Sequence, residues 1–411
     1  MQTPARPDLS WLQWALWLGL LSVLAGCFPW GSRAVRYVPE QTALQRSYAH
    51  PGEVLVVGAG ASGLAAARVL EQNQIPYTIL EATDRYGGRL KASHDFADVP
   101  LDLGAEWIHN QDRILDTLSG VPGTADATAL TRQHMGEVLR WTGERQKDVS
   151  PAAVNALHRF FPEYKFTRST WYDFVRQQFA EQVAHRIQYA SPVSVVDHSG
   201  ERVRVTTTDG RVYTADKVLV TVSIGVLRAG DIRFIPALSP EKTQAIASVF
   251  FPPGFKAFLK FSERFYPGTL MYPREGGEKG FYDATFGKDS QENILGVLVT
   301  GRHTAPYYAM QSQEDIVQAL LTELDSQFDG RASASFTGKY LLEDWGRHPP
   351  TKGTWVEGFR IDEAVLEELN RSLDRRVYFA GEAYDVYHQM GVPGAILSGF
   401  HAVDRLLTDQ E

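Results

Sequence analysis

The run from Val54 to Arg89, VLVVGAGASGLAAARVLEQNQIPYTILEATDRYGGR, constrains this chain more than any other stretch. Val54–Val57 is short, apolar and β-branched, the pattern of a strand buried on both faces of a parallel sheet. Gly58, Gly60 and Gly63 follow as G-x-G-x-x-G at the turn into an Ala-rich helix, and Ile79 and Leu80 end a second strand with Glu81 at its tip. Each glycine has its own reason: Gly58 for the tight turn, Gly60 for close approach of backbone to a pyrophosphate, Gly63 for close packing of helix on strand. The pyrophosphate would lie on the helix N-terminus, beside Ser62, where free N–H groups and the dipole favour an anion. An acid about 20 residues on, here Glu81, accepts hydrogen bonds from a ribose. Strand, turn, helix, strand and acid in this order predict a dinucleotide-binding βαβ unit.

Arg85-Tyr86-Gly87-Gly88-Arg89 follows directly, with two glycines that leave room for backbone beside a phosphate and guanidinium groups able to grip it. The pattern E-A-x-x-R-x-G-G-R resembles the FAD site of the flavin amine oxidases, a family of monoamine, polyamine and L-amino acid oxidases. Two further segments carry the resemblance. One is Thr221-Val222-Ser223-Ile224-Gly225-Val226-Leu227, continued by Ile232 to Pro240. The other is Arg376 to Glu382, reaching Gly391 to Gly399. The resemblance implies FAD as cofactor. It assigns to the FAD site Gly58, Gly60, Ser62, Gly63, Glu81, Arg85, Gly87, Gly88 and Arg89 in the first segment, and Gly104 and Ala105 just after it. Val193, Gly381, Glu382, Val392 and Ala395 complete the set, with Glu382 on ribityl or ribose hydroxyls and the helix starting near Val392 aimed at the flavin N1/O2 edge. That edge becomes anionic on reduction, so the dipole favours electron uptake. Cys27 is the chain's one cysteine, and Thr354 stands where the monoamine oxidases attach their flavin, so the FAD is expected to be non-covalent.

Three side chains are candidates for chemistry. Lys256 lies in an apolar strand context, Phe255 to Phe261, where a buried cation needs a partner. The resemblance implies that it holds a water against flavin N5. His109 ends Gly104-Ala105-Glu106-Trp107-Ile108-His109, which resembles the G-A-x-W-I-H of animal polyamine oxidases, where the histidine orients an amine at the pocket mouth. Trp355, in Lys352-Gly353-Thr354-Trp355, matches one aromatic wall of the cage facing the flavin. The usual opposite wall is Gly391 here, which leaves the cage half open and allows a bulky substrate. Lys91, two residues after Arg89, matches the position where L-amino acid oxidases and tryptophan 2-monooxygenases hold a substrate carboxylate.

Two catalytic readings therefore stand at the level of sequence: an amine oxidase releasing hydrogen peroxide after O2 reoxidises the flavin, favoured by His109, and an amino-acid-oxidising enzyme, favoured by Lys91. A non-catalytic flavin-binding scaffold is a third, prompted by a short 113–185 stretch. A net charge of −8 gives no support to a nucleic-acid-binding surface, and the eleven histidines show no metal-ligand spacing.

The fold class expected is α/β: a discontinuous Rossmann-like FAD-binding domain (52–112, 186–256 and 366–411) with an inserted substrate domain of mixed sheet and helices (113–185 and 257–365). Residues 28–51 read as a tether. Trp11 to Leu24 is apolar over 14 residues, short for a bilayer and suited to a signal-peptide core, and Leu24-Ala25-Gly26-Cys27 resembles a bacterial lipoprotein cleavage box. A lipid anchor at Cys27, on the periplasmic side of a bacterial envelope, is the expectation. The alternative is an uncleaved anchor spanning Trp11 to Trp30, with Arg33 and Arg36 favouring a cytoplasmic face.

Overall fold

The computed structural model describes residues 43–409 apart from 50–51, 110–112, 133–137, 142–145, 151, 153–154, 156–161, 273–275, 358–360, 386–387 and 389. The expected signal and anchor segment, Cys27 included, lies outside the described residues. Among those described, no helix is long and apolar enough to cross a membrane.

The β-branched run Val54–Val57 is buried throughout and pairs in parallel with Tyr77–Leu80 on one side and Lys217–Val220 on the other. Ile187–Gln188 and Val377–Phe379 extend the edges to make a five-stranded sheet, so a Rossmann-like sheet collects strands from three separate parts of the chain. Helix Ala61–Gln72 packs on it and on the C-terminal helix Val392–Thr408. Two glycines permit these approaches. A Cβ on Gly63 would lie 2.0 Å from the Gly58 carbonyl oxygen, and one on Gly399 2.4 Å from that of Ser62.

A four-stranded sheet, Val193–Asp197, Val203–Thr207, Val212–Ala215 and Arg233–Ile235, stands beside the first. Its hairpin turns at Asp209-Gly210, where Gly210 has φ +85° and the Thr207 hydroxyl bonds to Asp209. A seven-stranded sheet takes Gly254–Phe261, Asn293–Thr300 and Phe336–Asp344 as its long members, with Val138–Trp141 and Gln146–Val149 at the far edge. Phe255, Ala257 and Leu259 point into one core under helix Gln313–Gln327, whereas Phe258 joins a smaller cluster with Leu101 and Leu103. Lys256 falls on that second face by the period-2 alternation of a strand.

Two boundaries differ from the expected ones. The helical run from Trp171 to Val183 lies in the stretch expected with the substrate domain. It instead buries Trp171, Phe174, Phe179 and Val183 in the same core as helix Ala61–Gln72, because this run is apolar on the face that meets the Ala-rich helix. The end of the expected tether is also docked. Ala43 and Leu44 are buried in that core, and Arg46 and Tyr48 both bond to Asp404.

Candidate active site

A cavity of ≈ 850 Å³ runs from the Gly58–Ser62 turn to the face of the seven-stranded sheet. That is the scale of a site for a large organic ligand. At its first end the turn is built as the glycine pattern demands. Gly58 has φ +108°, and a Cβ on Gly60 would meet nothing within 4 Å, so the backbone lies open to the cavity. Gly60 is the N-cap of helix Ala61–Gln72 and supplies no side-chain cap, which leaves the first-turn N–H groups for a ligand. The buried Ser62 hydroxyl has no hydrogen-bond partner among the described residues. Glu81 is buried and oriented by the Ala59 N–H (2.8 Å) and by Thr83. This end fits a dinucleotide: an uncapped helix N-terminus and an orphan hydroxyl for phosphate, and a fixed carboxylate for ribose.

Both expected cofactor arginines line the cavity, and each also has protein partners. The Arg85 guanidinium donates to the carbonyls of Gly88 (2.7 Å), Leu90 (2.9 Å) and Tyr86 (3.2 Å), so it also shapes the Gly87-Gly88 loop. Arg89 donates to both oxygens of Glu382 (3.0 and 2.5 Å) and to the Thr354 carbonyl (2.6 Å). Glu382 also accepts the Val356 N–H. Gly87, Gly88, Gly104, Ala105, Val193, Gly381, Val392 and Ala395 all line the cavity, as do Glu81, Arg85, Arg89 and Glu382. Gly63 does not; its part is the contact between helix and strand. Gly391 caps helix Val392–Thr408 without a side-chain bond, so a second uncapped helix start faces the cavity.

At the other end Lys256, His109, Trp355 and Gly391 line the same cavity. Lys256 is buried and has three acceptors: the Asp102 carbonyl (2.6 Å), Glu106 Oε2 (2.7 Å) and the Gly104 carbonyl (3.1 Å). An ammonium has three donors, so the protein itself occupies all of them. The expected role, holding a water, requires one of these bonds to open. Glu106 Oε2 also accepts the Tyr282 hydroxyl (2.6 Å), and its other oxygen lies 3.6 Å from the ammonium of buried Lys165. Burial opposes ionisation of Glu106, but Lys256, then Lys165 and Lys288, outweigh it and hold the carboxyl at about 2. Burial pushes the Asp102 carboxyl the other way, up to about 8, against the pull of Lys256. His109 is half exposed and lies 3.3 Å from Glu163 through Nδ1.

Lys91 is not part of this wall. Its ammonium pairs with Glu343, and it is absent from the cavity lining, so the expected carboxylate partner is missing there. Sequence reasoning missed Glu106, Tyr282 and Lys165. Glu106 stood in view as the variable position of Gly104-Ala105-Glu106-Trp107-Ile108-His109, and the need of a buried lysine for a partner was legible, but nothing in the sequence pairs two residues 150 positions apart.

Solved structures with this fold include cyclohexylamine oxidase from Brevibacterium oxydans IH-35A, at TM-score 0.68 and 17% identity over 86% of this chain and 98% of that one. Fold and site together define a flavin-binding α/β oxidoreductase architecture. The model of the flavin containing amine oxidoreductases matches residues 61–169 and 165–407, and the chain belongs to that family, whose cofactor is FAD. Relatives include lysine-specific histone demethylase 1B of Mus musculus (27% identical, 89% of this chain, 54% of that one) and polyamine oxidase 4 of Oryza sativa subsp. japonica (24%, 88% and 90%). The chain thus spans about half the length of that demethylase and most of the polyamine oxidase.

Proposed function

We propose that this protein is an FAD-dependent amine oxidase acting on a polyamine-like or otherwise bulky amine. The observation that carries the reading is a single cavity lined both by the Gly58–Ser62 turn and by Lys256, His109 and Trp355. The chemistry FAD supplies when bound is acceptance of a hydride equivalent at N5 from the carbon beside nitrogen, and delivery of the electrons to O2 with release of hydrogen peroxide. The chain's own residues bind and orient. Trp355 and Trp107 supply apolar wall for the substrate chain. Half-exposed His109 with Glu163, and Glu278 in the same lining, give a cationic amine acidic partners. Lys256, through the longest of its three bonds, is the group that admits a water for hydrolysis of the imine product. Gly391, in the same lining as Trp355 and without a side chain, leaves room for bulk. Relatives named as polyamine oxidases and lysine-specific histone demethylases support an amine as substrate. The pairing of Lys91 with Glu343 weighs against an amino acid. With Cys27 the chain's one cysteine and Thr354 near Arg89, the FAD is held without a thioether.

Aerobic incubation with spermidine, N-acetylspermine or tryptamine, with peroxide read by a coupled dye, tests the reading. Peroxide formation supports it; bound FAD with no peroxide from any amine or amino acid returns the non-catalytic scaffold to the front. We further propose, from the Leu24–Cys27 pattern alone, that the mature chain starts at a lipid-bearing Cys27 at the bacterial envelope. An intact-mass measurement showing an unmodified Met1 terminus would refute that.

A further inference from the structure

Behind the cavity wall sits a second lysine that no motif marks. Lys165 is 1% exposed, on strand Tyr164–Phe166, which the bridge from Tyr164 to Ile108 brings alongside the Gly104–His109 segment. Among the described residues its ammonium makes one hydrogen bond, to the Ala284 carbonyl (3.2 Å). It lies 5.3 Å from the ring centre of Trp107 and 3.6 Å from Glu106 Oε1. Lys165 does not line the cavity; Trp107, Glu106, Tyr282 and Lys256 do. Burying a cation with so few bonds is costly, and burial lowers its pKa to about 8 against the pull of Glu106.

The charges packed around this group leave an imbalance. Among the described residues, Glu106 is the one ionised carboxylate between the two ammonium groups. Asp102 keeps its proton near neutral pH by burial, and Asp283 is engaged by Arg264 and Thr285. Lys288 adds a further, half-buried cation, bonded to the Pro100 carbonyl. Tyr282 is held neutral, its hydroxyl donated to Glu106.

We propose that Lys165 is a positioning residue: by holding the second oxygen of Glu106 it makes one carboxylate serve two ammonium groups, so that the wall formed by Lys256 and Glu106 carries net positive charge toward the bound flavin. That charge favours addition of electrons or of an anion to the ring. The proposal rests on FAD occupying the cavity and not on the identity of the substrate.

Sulfite, an anion that adds reversibly to oxidised flavin and bleaches its visible band, reads the charge directly in the full-length FAD-loaded protein. Lys165→Met is expected to weaken sulfite affinity about tenfold, the effect of one poorly screened charge. Lys165→Arg should keep affinity near wild type, and Glu106→Gln should tighten it. Unchanged affinity in a Lys165→Met protein that retains its flavin would overturn the proposal and leave Lys165 as packing for Trp107. If Lys165→Met does not retain flavin, Glu106→Gln decides: tighter sulfite binding supports the proposal, equal or weaker binding overturns it. Sulfite needs no amine turnover, so a failed amine-oxidase reading leaves this test intact, and a chain without FAD reveals itself by having no visible band.

Discussion

Arg89 and Glu382, 293 residues apart in sequence, meet in a two-pronged ion pair at the cavity wall, Nη1 donating to Oε1 at 3.0 Å and Nη2 to Oε2 at 2.5 Å. The pair joins the first segment of the cofactor site to the last, and Arg89 reaches the Thr354 carbonyl as well. Removing one partner strands a carboxylate that is 8% exposed, whereas removing both charges leaves nothing uncompensated. Arg89→Met is therefore expected to cost about 3 kcal/mol of stability and to lower FAD retention. The double variant Arg89→Met with Glu382→Gln should be more stable than Arg89→Met alone. Urea unfolding of the four-member cycle, with the flavin-to-protein absorbance ratio, measures both. Simple additivity of the two single costs would contradict this picture.

Gly391 lines the same cavity as Trp355 and adds no side chain to it. Its φ of −141° is ordinary extended backbone, and a Cβ there would meet only the Pro393 ring at 3.4 Å and the His388 carbonyl at 4.0 Å. Gly391→Phe should therefore fold and keep FAD while narrowing the cavity. The expected outcome is a rise in KM for bulky amines of about tenfold, the scale of a few lost apolar contacts, with small monoamines spared or improved. A uniform loss across all substrate sizes would show that Gly391 serves the helix start alone.

Asp102 gives a pH dependence of defined sign. Burial pushes its carboxyl up to about 8, outweighing the pull of Lys256, with Glu106 adding to the rise. An unfolded aspartate has a pKa of about 3.9, so between these values the folded state holds a proton that the unfolded state has lost. Stability from this group is therefore fully present below about pH 4, falls as pH rises, and levels off above about 8. Asp102→Asn removes the effect. Its stability relative to wild type should climb from pH 4 to pH 8 and then hold steady in thermal melts at constant ionic strength. A difference that is flat across that range would mean that Asp102 is ionised in the folded protein.

What could be read from sequence was local. Val54–Val57, the Gly58–Gly63 turn and the Asp209-Gly210 hairpin each follow from neighbouring residue types, and each forms as the pattern demands. All three segments that carried the resemblance contribute to the cavity lining, because those segments are where backbone must approach a ligand. What escaped were partners brought together by topology. Nothing near Lys256 in sequence points to Glu106, 150 residues earlier, or to the carbonyls that occupy its other two donors. Arg85 and Arg89 read as phosphate ligands because a guanidinium beside glycines suits one; the protein acceptors they also bind, Gly88 and Glu382, had no local signal. Lys91 has the right spacing from Arg89, but Glu343 on strand Phe336–Asp344 stands within its reach, and no local signal locates that strand. The same holds for Trp171 to Val183, whose apolar face found the Ala-rich helix rather than the inserted sheet.

The central claim is that one cavity joins FAD to an amine. Anaerobic mixing of the FAD-loaded protein with spermidine, N-acetylspermine and tryptamine, and separately with L-tryptophan and L-phenylalanine, tests it by the oxidised flavin band. Bleaching by amines and not by amino acids is the predicted result. Bleaching by amino acids alone would contradict it, because the cavity would then have to supply a carboxylate partner that Lys91, paired with Glu343, does not provide.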